Sequence, residues 1–498
     1  MDISTAIGNI TEQEADAIVL NLFEGVVTPG GATGVVDQVL NGQISALIAG
    51  GDFTGKFKQT SILYPASGIT APRIILIGLG KQEDFSIDRV RLASAVVTKE
   101  AEQRGVKHLA TIVHGGGIGG LNVADATQAT VEGAVLGTYQ FTTYKTGAPP
   151  TNTLEKLSVV EFDSSKQTDI ETGAQAGQHI AEGVCLARNL GNAPGNDLPP
   201  SVLAEQVTEM AASVGLSYEI FDEHRIQSEG MGALSAVGQG STRPPRFIIL
   251  EHKGQNPEAD PVILVGKGIT FDTGGISLKA GDGMWDMKFD MCGAAAVIGA
   301  MQTVAKLNLP TRIIGIVAAA ENMPDGNAYR PGDIIKPLGK KTVEIRSTDA
   351  EGRLALIDAL AYIKRYNPTA AIDLATLTGA CVTALGNDAS GLMGNNNDLI
   401  QAIHQAGNRT GEIAWHLPIL EGHRNQIKGD YADLKNTGGR PGGALTAGAF
   451  LEAYVDGYAW AHLDIAGTAW NNTTRPDTPI GATGVGVRLL IDYLRNLS

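Results

Sequence analysis

Cysteine is scarce in this chain: Cys185, Cys292 and Cys381 are the only three among 498 residues. They are odd in number, widely spaced and form no C-x-x-C pair, which argues against a disulfide framework and a zinc–thiolate site and for a reducing compartment. Histidine is also sparse, and none of the nine forms H-x-H or H-E-x-x-H, so a histidine-built metal site has no support. No apolar run reaches the length of about 18 residues that a membrane span needs. Met1 to Thr5 begins without a basic segment or a clean apolar one, and the expectation is a cytoplasmic protein with no membrane partner. Asn-x-Thr at Asn9 and Asn471 is then a chance match. Positive charge is short as well, with 38 Lys and Arg against 53 Asp and Glu and a net charge of −15. That balance argues against a surface dedicated to nucleic acid or anionic lipid.

What is present is ordinary globular composition, 43% apolar and 18% charged, with 63 glycines that imply many tight turns. Single cores stop growing at roughly 250 to 300 residues, so the length implies two domains. In the first, Ala17 to Phe23, Ile74 to Gly78 and Leu109 to Val113 read as buried strands, with helices over 89–103 and 122–136. Turn and breaker residues fill 146–153, a polar segment covers 163–168, and a helical run from Ile170 to Leu190 follows. These features divide the chain into an N-terminal α/β domain at 1–165, a linker helix at 166–190 and a C-terminal domain at 191–498. Two glycine-rich stretches in the first domain invite a phosphate-binding reading. Gly50 to Phe57 nearly matches G-x-x-x-x-G-K-[ST], but Phe57 stands where magnesium needs a hydroxyl. His114 to Gly120 could cradle an anion on backbone N–H groups, although a plain turn is the simpler reading.

From residue 246 on, strand and helix patterns alternate: Arg246 to Leu250, Val262 to Gly266, Ile313 to Val317, Val343 to Arg346 and Ala371 to Ala375 read as strands, and Trp460 to Ala466 as a late one. Helical stretches at 293–306 and 354–365 separate several of them. The expected architecture is α/β: two domains, each a mostly parallel sheet flanked by helices, the larger C-terminal one catalytic. Polar residues gather where strands end. Lys267, Asp272 and Lys279 fall in one glycine-rich loop, Asp290 stands just before an apolar helix where it could merely be an N-cap, and Asp349, Glu351 and Arg353 crowd the turn between a strand and a helix. Carboxylates so close repel one another unless a cation neutralises them, and a hard divalent metal suits oxygen ligands. Four acids at one sheet edge could hold two ions about 3.5 to 4 Å apart, as two-metal hydrolases do. Glu321, Glu344 and His462 carry no such signal and read as structural.

These blocks resemble the cytosol (leucyl) aminopeptidase family of dinuclear metallopeptidases. Residues 265–279, 287–295 and 347–354 carry the likeness, the last matching the hallmark Asn-Thr-Asp-Ala-Glu-Gly-Arg-Leu with Ser347 in place of the leading Asn. Asn367-Pro368, Ala375 to Ala380 and His462 to Gly467 extend it over most of 180–498. The resemblance implies that Asp272 and Glu351 bridge two metal ions, Mn²⁺ or Zn²⁺, with Lys267 and Asp290 completing one site and Asp349 the other. It implies that Lys279 stabilises the oxyanion and that Arg353 holds a bicarbonate serving as general base. Met287, Thr376, Gly379, Ala466 and Ala469 match the family's side-chain pocket. The implied activity is release of N-terminal residues, leucine preferred, from peptides with a free N-terminus, by water activated between two metals, in intracellular peptide turnover. The resemblance further implies a homohexamer and a macro-like N-terminal domain with a regulatory or assembly role. Some members also act on DNA, which the acidic total argues against here. A dinuclear phosphoesterase would use similar acids but usually recruits histidines, and a non-catalytic scaffold would not retain all of these polar positions.

Overall fold

The computed structural model describes residues 1–117, 119–147 and 154–497; from residue 148, the breaker stretch read at 146–153 lies outside them, as does Ile118 within the glycine-rich run. The chain forms two compact units, Met1–Glu182 with Thr473–Pro479, and Gly183–Asn472 with Ile480–Ser498.

In the first unit, β1 (Asp2–Ile7), β2 (Ala17–Phe23), β3 (Thr60–Leu63), β4 (Ile74–Gly80), β5 (His108–Ile112) and β6 (Lys156–Glu161) form one sheet in the order β1-β6-β5-β2-β4-β3. All neighbours are parallel except the β3–β4 hairpin edge. Successive side chains of β2 point to opposite faces. Ile18, Leu20 and Leu22 pack with Val36 of α1 (Gly31–Val39), Leu40 that caps its end, and Ile44 of α2 (Gln43–Gly50). Ala17, Val19 and Phe23 pack with residues of α3 (Ile87–Gln103) and α4 (Val123–Thr138). The helix α5 (Gln167–Asn192) follows, and the division between units falls within it.

The second unit opens with α6 (Pro200–Val214), β7 (Ser217–Phe221), α7 (Glu223–Ser228), α8 (Gly232–Gly238) and β8 (Arg246–His252). Then come β9 (Val262–Asp272), α9 (Cys292–Leu307), β10 (Ile313–Asn322), β11 (Ile334–Ile335), β12 (Val343–Glu344), α10 (Gly352–Ile363), β13 (Ala370–Ala375) and α11 (Gly379–Leu385). After β14 (Ser390–Gly394), β15 (Ala414–His416) and β16 (Leu434–Lys435), β17 (Ala459–Asp464) completes the main sheet, ordered β15-β14-β17-β13-β9-β10-β8-β7. Its centre, β17-β13-β9-β10, is parallel and its flanks carry antiparallel pairings. The α/β expectation holds for both units.

Two local expectations change. The strand read at 262–266 continues to Asp272, so Lys267 and Asp272 stand on β9 itself rather than in the loop after it. Pairing with β10 holds the extension in place to its last residue, Asp272, which pairs with Asn322, with a bulge at Ala320/Glu321. The strand read at 343–346 is only β12, two residues in a separate three-stranded sheet with β11 and β16.

Candidate active site

Three elements of the second unit meet at the carboxyl end of β9. Lys267 points from the middle of β9 and Asp272 from its end; Asp290 stands in a 3₁₀ turn before α9; Glu351 precedes α10. Asp290 does not cap α9, whose N-cap is Met291, so the bland reading of this acid fails. Carboxylate oxygens of Asp272, Asp290 and Glu351, all buried, lie within 4.8 Å of one another. Lys267 Nζ is 2.8 Å from Asp290 Oδ1 and 3.0 Å from Glu351 Oε1, and donates to the main-chain carbonyl of Thr376. Lys279 Nζ is 2.7 Å from Asp272 Oδ2 and 2.5 Å from Asp349 Oδ1. The six polar side chains that the sequence spreads from 267 to 351 thus form one connected cluster. Arg353, buried in the first turn of α10, donates from Nη1 to the main-chain carbonyl of Asn436.

Two glycines permit this convergence. A Cβ on Gly352 would occupy the space of the Lys267 side chain, so that lysine reaches Glu351 only because α10 begins with glycine. Gly274, at φ +85°, turns the chain after β9 so tightly that a Cβ would crowd Asp349 Oδ1.

The electrostatics follow from burying Asp272, Asp290 and Glu351 beside two lysines, with the more exposed Asp349 at the edge. Burial alone would lower the Lys267 pKa; the charges of Asp290, Glu351 and Asp272 outweigh it and hold the amine protonated. Lys279 is raised against burial by Asp272, Glu351 and Asp290. Burial and the neighbouring Glu351 push Asp272 up to about 6, and burial pushes Asp290 well above the carboxylate range. Arg353 is lowered to about 10 by burial. Even so, Asp290 Oδ2, Glu351 Oε2 and Arg353 Nε are buried and find no hydrogen-bond partner among the described residues. Buried polar atoms without partners cost free energy, and carboxylate oxygens of this kind fit a divalent cation. A metal bound by Lys267 must displace the proton that the carboxylates now retain.

Several supports were not legible as site residues. Asn322, at the end of β10, donates from Nδ2 to Asp272 Oδ1 (2.7 Å) and to the Thr348 carbonyl, which Tyr329 also holds. Asn436 accepts from the main-chain N–H of Arg346 and donates to the Ser347 carbonyl. Ser347 accepts the Asp349 N–H on its hydroxyl at 3.3 Å, a weak local turn contact. Asp464, buried at the end of β17, accepts N–H bonds from Leu377, Thr378 and Ala466 and the Thr378 hydroxyl, joining the loops that carry Thr376 and Gly379 to the one that carries Ala466 and Ala469. Phe289 packs on Trp470 with ring centroids 5.6 Å apart, which brings the turn containing Met287 to the same wall. Thr376 also donates from its hydroxyl to Asp290 Oδ1 at 2.7 Å, so it serves the acid cluster directly. A lone Asn or Asp at a strand end has no sequence signature that separates it from a turn residue.

The acids left out of the site have structural partners. Glu344 binds Arg346 and the Tyr431 N–H, Glu321 binds Ser241 and Arg243, and His462 pairs with Asp373 deep in the sheet.

A cluster of this composition at the strand ends of a central parallel sheet is that of a metal-dependent hydrolase. The family model for the "Cytosol aminopeptidase family, catalytic domain" matches residues 185–491, and that for the same family's N-terminal domain matches 19–148. A probable cytosol aminopeptidase of Geotalea uraniireducens is 45% identical over 93% of each chain, and one of Roseiflexus castenholzii 42% identical over 100% of this chain and 99% of the relative. Among solved structures, a mutant of tomato leucine aminopeptidase superposes with a TM-score of 0.87 at 32% identity, covering 99% of this chain and 96% of that one. The bottromycin maturation enzyme BotP in complex with Mn gives 0.86 at 33% identity, covering 97% and 99%. The chain belongs to the cytosol aminopeptidase family. It is a metal-dependent aminopeptidase that uses divalent cations and acts on peptides. No helix among the described residues is long and apolar enough to cross a membrane.

Proposed function

We propose that this aminopeptidase releases N-terminal residues, leucine preferred, with two divalent ions, Mn²⁺ or Zn²⁺, held by Lys267, Asp272, Asp290, Asp349 and Glu351. Asp272 and Glu351 would serve both ions, Lys267 and Asp290 one of them, and Asp349 the other. The observation that carries this reading is the pair of buried oxygens, Asp290 Oδ2 and Glu351 Oε2, that find no partner among the described residues, in a cluster whose three buried acids bring oxygens within 4.8 Å of one another. When bound, the ions supply a water acidic enough to attack near neutral pH, a ligand position for the substrate's free α-amine, and, with a bicarbonate, a route for the water's proton.

The chain's own residues do the rest. Lys279 keeps its proton because acids surround it, and its ammonium would stabilise the negative charge that develops on the scissile carbonyl oxygen. Arg353 has Nη1 fixed on the Asn436 carbonyl and Nε without a partner among the described residues, a donor suited to an oxyanion such as bicarbonate. Asp464 aligns the loops bearing Thr376, Gly379, Ala466 and Ala469, which with Met287 form the side-chain pocket. Such a pocket discriminates by about 1 to 3 kcal/mol per methylene. The catalytic machinery lies in 191–498, with 1–165 and the 166–190 helix serving assembly as a homohexamer or regulation, and the cellular role is intracellular peptide turnover.

The test is hydrolysis of leucine anilide and a dipeptide set with added Mn²⁺ or Zn²⁺, beside a phosphate monoester as control. The reading predicts leucine release that chelator abolishes and added metal restores. Phosphate release without amide cleavage would overturn it.

A further inference from the structure

Lys279 stands on a loop whose neighbouring side chains, Ile276, Leu278 and Ala280, are exposed. Its ammonium reaches Asp272 and Asp349, but both carboxylates are among the proposed metal ligands. In a loaded site their charge is shared with cations, so the main chain of the loop has to supply the position of the lysine. The loop first closes on itself: the Lys279 N–H donates to the Thr273 carbonyl at 2.9 Å. Gly274 and Gly275, at φ +85° and +63°, make the turn. A Cβ on Gly274 would strike the Ser277 carbonyl, and one on Gly275 would lie 2.9 Å from the Thr348 hydroxyl.

What ties this loop to the acids is a reciprocal pair of hydrogen bonds between residues 71 apart in sequence. The Ser277 N–H donates to Thr348 Oγ1 at 2.8 Å, and the Thr348 N–H donates to Ser277 Oγ at 3.0 Å. The buried Thr348 uses its other groups as fully. Its hydroxyl donates to the Gly274 carbonyl at 2.7 Å, and its carbonyl accepts from Asn322 Nδ2 at 3.0 Å and the Tyr329 hydroxyl at 2.9 Å. The two halves of Thr348 therefore do different things. Its carbonyl, held by Asn322 and Tyr329, fixes the turn that leads into Asp349; its hydroxyl and N–H fix the loop that leads to Lys279. A charge-stabilising donor works only when held close to its productive geometry by supporting hydrogen bonds.

We infer that Ser277 and Thr348 are positioning residues for the aminopeptidase reaction: their reciprocal hydrogen bonds hold the 274–279 loop against the 347–349 turn and so set where the Lys279 ammonium stands. The inference rests on the oxyanion role proposed above for Lys279.

The test compares Thr348→Val, which keeps the side-chain shape and loses the hydroxyl, with Thr348→Ser, which keeps the hydroxyl. Ser277→Ala removes the other half of the pair at a less buried position, should the valine fail to fold. In the full chain reconstituted with Mn²⁺, Thr348→Val and Ser277→Ala are expected to lower kcat on leucine anilide by roughly 10 to 100-fold with KM little altered, the cost of misplacing a group by about 1 Å. Thr348→Ser is expected to restore most of the rate. In a Lys279→Ala background the same substitutions should lower kcat no further, since residues acting through one group are not additive. Hydrogen exchange over 274–285, read by mass spectrometry with and without metal, should quicken by roughly three- to tenfold in Thr348→Val and Ser277→Ala, as loss of a hydrogen bond does. Bound metal per chain should stay at the wild-type value. A wild-type kcat in both variants, unchanged exchange, a further fall in the Lys279→Ala background or loss of bound metal would each overturn the inference and leave the oxyanion role standing. A wild-type kcat in Lys279→Ala would remove that role and the inference with it.

Discussion

Lys267 Nζ lies 3.0 Å from Glu351 Oε1 across a gap that only a glycine at 352 leaves open. Gly352→Ala is therefore expected to push the lysine off the cluster although it adds a single methyl. Overpacking of this kind costs about 1 to 3 kcal/mol. A lowered melting temperature with a loss of metal-dependent turnover checks it; wild-type values for both would show that the lysine can yield without consequence.

Lys279 is argued to act on developing charge, not on substrate affinity. Lys279→Ala should lower kcat by roughly 100 to 1,000-fold, the usual effect of removing one oxyanion donor, with KM little altered. Steady-state kinetics on leucine anilide decide it, and an unchanged kcat would remove Lys279 from that role.

Asp464 joins the loop of Thr376 and Gly379, proposed to line the substrate pocket, to that of Ala466 and Ala469. Asp464→Ala leaves the buried N–H groups of Leu377 and Thr378 without their acceptor, each loss costing about 1 to 3 kcal/mol. Lower stability together with a raised KM for leucine substrates is expected. Lower stability with unchanged KM would confine Asp464 to the fold.

His114 gives the first unit a pH dependence. Burial lowers its pKa from 6.5 to about 4. The unfolded chain therefore binds the proton more readily, so stability is full above about 6.5 and falls as pH drops toward 4, by about 3 kcal/mol over the window. Denaturant unfolding at pH 7 and pH 4.5 should show this loss, and His114→Gln should flatten it. An unchanged slope in the variant would assign the acid sensitivity elsewhere.

How much could be read from residues alone follows a physical divide. Lys267, Asp272, Asp290, Asp349 and Glu351 are legible because acids and lysines beside glycines at the ends of apolar runs have few structural uses. The buried strands Ala17–Phe23 and Ile74–Gly80 are legible because both faces are covered and their sequences run apolar apart from Asn21. The β7 strand escaped because Ser217 to Glu219 lie exposed at a sheet edge. The reach of β9 to Asp272 depends on its neighbour β10, and Asn322, Asn436 and Asp464 acquire their roles only from tertiary contacts.

The most direct measurement is metal content per chain, by plasma mass spectrometry on protein reconstituted with Mn²⁺, for the wild type and Glu351→Ala, with circular dichroism and leucine release followed in parallel. The account predicts two ions in the wild type, a loss of bound metal and of turnover in the variant, and an unchanged circular dichroism spectrum. A variant that keeps both ions and near-normal rates would contradict it.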